Sequence, residues 1–128
     1  MKLKVFLPTE IFIDIDVVKV VGESPSGSFA ILPRHVDIAT ALVPGIFTYF
    51  PSGSQELLIA VNGGILVKQG ETLALATRMA VTGELGSLKS AVEKFVNEVD
   101  EKERKARTAV AKMEADLVRR FVEFGKNA

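Results

Sequence analysis

His35 is the one histidine in the chain, and Asp37 follows two residues later. In a strand, residues i and i+2 share a face, so a His-Asp pair there could move a proton. Such a pair needs a nucleophile or a metal cluster beside it. The chain has no cysteine, which removes thiolate chemistry and disulfides. One histidine with scattered carboxylates makes a poor metal site. Gly63-Gly64 is the second chemical suspect, as a phosphate cradle. It fits neither GxGxxG nor GxxxxGK(S/T), and a strand-like run follows it rather than a helix. It reads instead as close backbone packing or a bulge. His35 reads as a structural or interface histidine. No catalytic residue, metal ligand or cofactor site is expected.

The elements that hold these residues are mostly short and β-like. The organising stretch is GSFAILPRHVDIATALVPG, Gly27 to Gly45: too broken for a long helix and too apolar for a surface loop. Lys2–Leu7 and Ile11–Asp16 alternate with the period of strands. Val17–Val21 continues or bends the second, and Gly22–Ser28 reads as a loop. Phe29–Leu32 is a short buried strand ended by Pro33. His35–Leu42 is another short strand or bend, and Pro44-Gly45 a turn. Ile46–Phe50 and Glu56–Val61 form a hairpin across Pro51–Ser54. Asn62–Gly64 punctuates, Ile65–Lys68 follows, Gly70-Glu71 turns, and Thr72–Thr77 alternates. Closely spaced short strands predict an all-β sandwich.

The pattern changes after Ser87. From Leu88 to Phe124 there is no glycine or proline. Leu88, Val92, Phe95, Val96, Val99, Ala106, Val110, Met113, Leu117, Phe121 and Phe124 recur at spacings of three and four, as in an amphipathic helix. Ser87 suits the N-cap and Gly125 the stop. The charged run Asp100–Lys105 leaves two forms open, a helical hairpin folded there or one long helix. The expected domains are 1–84, a flattened antiparallel β-sandwich, and 85–128, a helical C-terminal domain.

The bulk numbers narrow the function. A chain of 128 residues with 48% hydrophobic residues is one domain, or one with an appendage. Lys+Arg and Asp+Glu are both 16, so neither nucleic acid nor an acidic membrane is the default partner. No apolar run nears the roughly 18 residues of a membrane span, and no signal peptide or membrane insertion is expected.

The order of features resembles the epsilon subunit of F-type ATP synthases, called delta in mitochondria. The family's Gly-Ile-Leu-Pro-Gly-His stretch running to a Pro-Gly is similar to AILPRH (Ala30–His35) followed by TALVPG (Thr40–Gly45). Its Gly-Gly-Ile/Phe-Leu-x-Val strand is similar to VNGGILV (Val61–Val67). Ala30 and Arg34 replace glycines, Asp37 stands where a proline is common, and Thr77 where an aspartate is usual. These departures mark a divergent branch, in keeping with the alternate bacterial ATPases.

The resemblance implies a β-sandwich with C-terminal helices and no active site. It implies a rotor subunit that couples gamma to the c-subunit ring, coupled to protons or sodium, on the cytoplasmic face of the bacterial membrane. Ser24, Pro25, Ser26, Gly27 and Ser28 would form the loop facing the c ring, and Arg34, His35 and Asp37 would face gamma. An extended tail would carry Arg107, Lys112, Arg119 and Arg120 to the alpha/beta catalytic head and restrain ATP hydrolysis. The family's ATP motif, Ile/Leu-Asp-x-x-Arg-Ala, has its nearest match at Val99–Arg104. Glu103 takes the arginine position there, so no ATP site is expected. The residues alone also fit a stand-alone sandwich module whose helix makes a coiled coil.

Overall fold

The computed structural model describes the main chain of residues 1–126, without the side chains of 99, 116–118 and 120 onward. Eight strands precede one helix: β1 (Lys2–Phe6), β2 (Ile11–Asp16), β3 (Lys19–Ser24), β4 (Gly27–Ile31), β5 (Ile38–Ser52), β6 (Gln55–Gln69), β7 (Thr72–Ala76), β8 (Ala80–Thr82) and α1 (Leu85–Lys126). The chain divides into two compact units, Met1–Val96 and Asn97–Ala128.

The first unit is the expected sandwich. The strand order is β2-β1-β7-β6-β5-β3-β4, with β8 on β6. The long strands β5 and β6 belong to both layers. Ile65–Gln69 of β6 pairs with β7, whereas Ile59–Val61 pairs with β8; β3 pairs with the far end of β5, at Thr48–Phe50. All pairings are antiparallel except that of β1 with β7, which is parallel. Parallel neighbours need a long crossover, and β2 to β6 supply it.

The two layers enclose one core of Leu3, Val5, Val20, Ile31, Leu42, Phe47, Tyr49, Ile59, Val61, Leu66, Leu73 and Leu75. Strand faces alternate with period two. On β5 the core-facing positions pass from Leu42 to Phe47, and on β6 from Val61 to Leu66, an odd step in both. Each strand therefore swaps its inward face once. The swap lies at Val43–Gly45 and Asn62–Gly64, where the ladder pairs Leu42 with Gly64 and Pro44 with Asn62. Gly63 (φ 69°) and Gly64 (φ 134°) supply backbone that L-residues adopt poorly. The expected turn at Pro44-Gly45 and break at Asn62–Gly64 are thus corners inside continuous strands. The reading of close backbone packing at Gly63-Gly64 is borne out: a Cβ at Gly63 would lie 2.9 Å from the Leu42 carbonyl oxygen.

Three further expectations are corrected. Gly22–Ser28 is a hairpin, with Ser24 paired to Gly27 around a turn at Pro25-Ser26. The strand propensity of Val20-Val21 carries the ladder through Glu23. The helix starts at Leu85, before the expected Ser87 cap; the Leu88 N–H donates to the Glu84 carbonyl, and Ser87 sits in the first turn. The helix also continues past Gly125 to Lys126. Leu85–Lys126 is one helix, which resolves the choice between hairpin and single helix.

The first turns of α1 belong to the sandwich unit. Leu88 (0% exposed) and Phe95 pack on Ala60, with Ile46, Leu58, Val81, Ala91 and Val92 around them. Ile46, Leu58 and Ala60 point away from the main core, so this layer is apolar on both faces. Burying Leu88 and Phe95 contributes about 1.5–3 kcal/mol each.

Candidate docking surfaces

Leu32–Asp37 is not a strand, so His35 and Asp37 do not share a strand face. Pro33 removes an N–H and fixes φ, which favours a turn. The His35 N–H donates to the Leu32 carbonyl at 2.9 Å and closes that turn. The His35 Nδ1 lies 2.7 Å from the Val36 carbonyl oxygen. A carbonyl only accepts, so this nitrogen carries a proton. Asp37 engages a different element: its Oδ1 accepts the Gly70 N–H at 2.8 Å. The two side chains each bond main chain, and no proton relay joins them. Arg34 and Asp37 are exposed, and His35 is half-buried. Leu32 and Val36, on either side, are 54% and 74% exposed.

Ser24–Ser28 forms the β3–β4 tip, at the other end of β4 from this segment. Ser24 Oγ donates to the Gly27 carbonyl at 3.0 Å and accepts from the Ser26 N–H at 3.2 Å. Gly27 has φ 124°. Ser24 is half-buried, and Pro25, Ser26, Gly27 and Ser28 are exposed. The tip is compact, polar and uncharged.

The sequence reading missed an apolar face. The β5-β6-β7-β1 layer turns Leu42, Leu66, Leu73 and Leu75 inward. On its outer side, residues align in two rows across the strands. One row is Ala41, Ile65, Ala76 and Phe6; the other is Ala39, Val67, Ala74 and Lys4. Ile65 is 59% and Val67 39% exposed. Alanines on the neighbouring strands β5 and β7 flank these two side chains. The sequence pointed the other way: in GGILVK a strand lysine reads as outward, which would turn Ile65 and Val67 inward, but Lys68 and Leu66 are buried and Ile65 and Val67 face out.

Thr77 is buried but satisfied; its Oγ1 donates to the Met79 carbonyl at 3.2 Å, and its N–H to the Phe6 carbonyl at 3.0 Å. Burial raises the pKa of Tyr49 above its usual 10.0, because the phenolate would lose solvation. Among the described residues, no three metal-ligating side chains converge, and no helix is long and apolar enough to cross a membrane.

In the second unit, Arg107 pairs with Glu103 at 3.7 Å, and Lys105 with Glu101 at 3.8 Å, both one helical turn apart. Such exposed pairs contribute little to stability. Lys112 and Arg119 are exposed. Arg120, Leu117, Phe121 and Phe124 lie outside the side chains described. Val110 and Met113 of the expected apolar stripe are 54% and 71% exposed.

Residues 1–83 match the family described as ATP synthase, Delta/Epsilon chain, beta-sandwich domain. The chain is 27% identical over 127 residues to the ATP synthase epsilon chain 2 of Paraburkholderia xenovorans, covering 97% of this chain and 91% of that one. It is 30% identical over 100 residues to the ATP synthase epsilon chain 2 of Cereibacter sphaeroides, covering 77% and 68%. Its fold is similar to a chain of the Euglena gracilis mitochondrial ATP synthase, in a structure of OSCP, F1 and c-ring (TM-score 0.61, 20% identity, 72% of this chain). The match spans 61% of the Euglena chain's length. It is also similar to a chain of the Tetrahymena thermophila mitochondrial ATP synthase central stalk and c-ring (TM-score 0.57, 15% identity, 77% of this chain and 95% of that one).

Proposed function

The chain belongs to the delta/epsilon family of ATP synthase chains, and from that premise we propose that it is a non-catalytic central-stalk subunit of a proton- or sodium-translocating F-type ATP synthase. In this reading it turns with the rotor at the cytoplasmic face of the bacterial membrane. The sandwich couples gamma to the c ring, and the C-terminal helix restrains ATP hydrolysis.

The observation that carries the reading is the difference between the two outer faces of the sandwich. Leu88 and Phe95 cover the face that presents Ala60. The opposite face leaves Ile65 and Val67 in solvent. An exposed apolar face of this kind suits an interaction surface. It fits a gamma-type partner, with Arg34, His35 and Asp37 at its margin and the Ser24–Ser28 tip directed to the c ring. Relatives named ATP synthase epsilon chain support this assignment.

The regulatory role rests on the second unit. Lys105, Lys112 and Arg119 recur every seven residues, so they share one side of a helix. In this reading Lys112 and Arg119, with Arg107 and Arg120 elsewhere on the helix surface, meet the acidic surface of an alpha/beta head. The test removes residues 97–128 and measures ATP hydrolysis by the reassembled complex. Truncating at 88 would confound it, since Leu88 and Phe95 are part of the sandwich unit. Faster hydrolysis is expected; an unchanged rate rejects the brake.

A further inference from the structure

One side chain ties the segment between β4 and β5 to the sheet. Asp37 Oδ1 accepts the N–H of Gly70, 33 residues away. Lys68 is 3% exposed and donates from Nζ to the Gly70 carbonyl at 2.7 Å. Gly70 has φ 61° and forms the β6–β7 turn. Two side chains of opposite charge thus hold both polar groups of one turn residue. The His35 hydrogen bonds stay inside Leu32–Asp37. Among the described residues, Asp37 makes the one side-chain hydrogen bond from this segment to another element.

The placement gives that bond a use. Ile38 pairs with Lys68 and Ala39 with Val67, so the segment enters the sheet at the margin of the apolar face. Leu32 and Val36 are the large apolar side chains it leaves in solvent. A segment already ordered in its bound form loses less entropy on docking.

We propose that Asp37 is a positioning residue: by capping Gly70 it holds Leu32–Val36, which carries the exposed Leu32 and Val36, as a preformed ridge at the margin of the Ile65/Val67 face, ready for the gamma-type partner. The docking part rests on the stalk reading above; the positioning part does not. An accepting oxygen is what the bond requires, so asparagine can replace the carboxylate and alanine cannot.

The test compares wild type, Asp37→Asn and Asp37→Ala. Amide hydrogen exchange at Gly70 and residues 34–37 is followed in the isolated full chain, and affinity for purified gamma subunit is measured by titration. Asp37→Ala should exchange about tenfold faster at Gly70 and bind gamma about five- to tenfold more weakly. Asp37→Asn should stay close to wild type in both. Unchanged protection of Gly70 in Asp37→Ala overturns the positioning role, as does an Asp37→Asn variant as unprotected as Asp37→Ala. Faster exchange with undiminished gamma affinity overturns the use of the ridge in docking. If wild type itself fails to bind gamma, the stalk reading falls, and the exchange data still decide the positioning role.

Discussion

The carbonyl oxygen of Ala76 would clash with the first side-chain carbon of any other residue at Gly64. The contact sits at the corner where β6 swaps its inward face, and Gly64 also has φ 134°. Space and backbone conformation both require glycine there.

Gly64→Ala should therefore destabilise the protein by roughly 2–4 kcal/mol. Gly70→Ala is the control. Gly70 also has positive φ, but nothing lies within 4 Å of an added Cβ. It should cost only about 1 kcal/mol. Urea unfolding of both variants checks the order, and equal losses would contradict it.

Leu88→Ala should cost about 2–5 kcal/mol, because Leu88 is 0% exposed and packs on Ala60. Met113→Ala, at a side chain 71% exposed, should stay within about 0.5 kcal/mol in the isolated chain. Thermal melting of the two variants separates the part of α1 that stabilises the sandwich from the part that does not.

Tyr49 gives a pH prediction. Its pKa in the folded state is raised above the unfolded value near 10.0. Folded and unfolded states are both protonated below that value, and the stabilisation is then fully present. As pH rises past 10.0 the unfolded chain loses the proton first, so stability falls through the folded pKa. Tyr49→Phe should lose stability less steeply above pH 10. Tyr49 is the only tyrosine and there is no tryptophan, so phenolate absorbance reports its titration directly. A midpoint at or below 10.0 would contradict the burial argument.

The tail should not bind ATP. Glu103 stands where the family's ATP motif has arginine, and it faces Arg107 at 3.7 Å. Millimolar ATP should leave the melting temperature of the isolated chain unchanged. A clear rise would contradict this.

Much of the fold was legible. The alternation in Lys2–Leu7, Ile11–Asp16 and Thr72–Thr77 located β1, β2 and β7, and three-four spacing located α1. The corners were not. Pro44-Gly45 and Asn62–Gly64 carry turn residues, but a strand that swaps its faces needs the same residues as a strand that ends. The helix contact had an overlooked signal: Leu57–Val61 is apolar at every position, as in a strand covered on both faces. The apolar outer face was hidden because Ile65 and Val67 look like core residues. Only the inward direction of Leu66 and Lys68 shows that they are not.

The central claim is that the Ile65/Val67 face docks the chain onto a gamma-type rotor partner. Its most direct measurement is binding of the full chain to purified gamma subunit, comparing wild type with Val67→Glu and Ile65→Glu. Both positions are solvent-exposed, so both variants should melt near the wild-type temperature. The account predicts a stable one-to-one complex for wild type and binding weakened at least about tenfold by either glutamate, which must leave water beside an apolar surface. Wild-type affinity in both folded variants would contradict it.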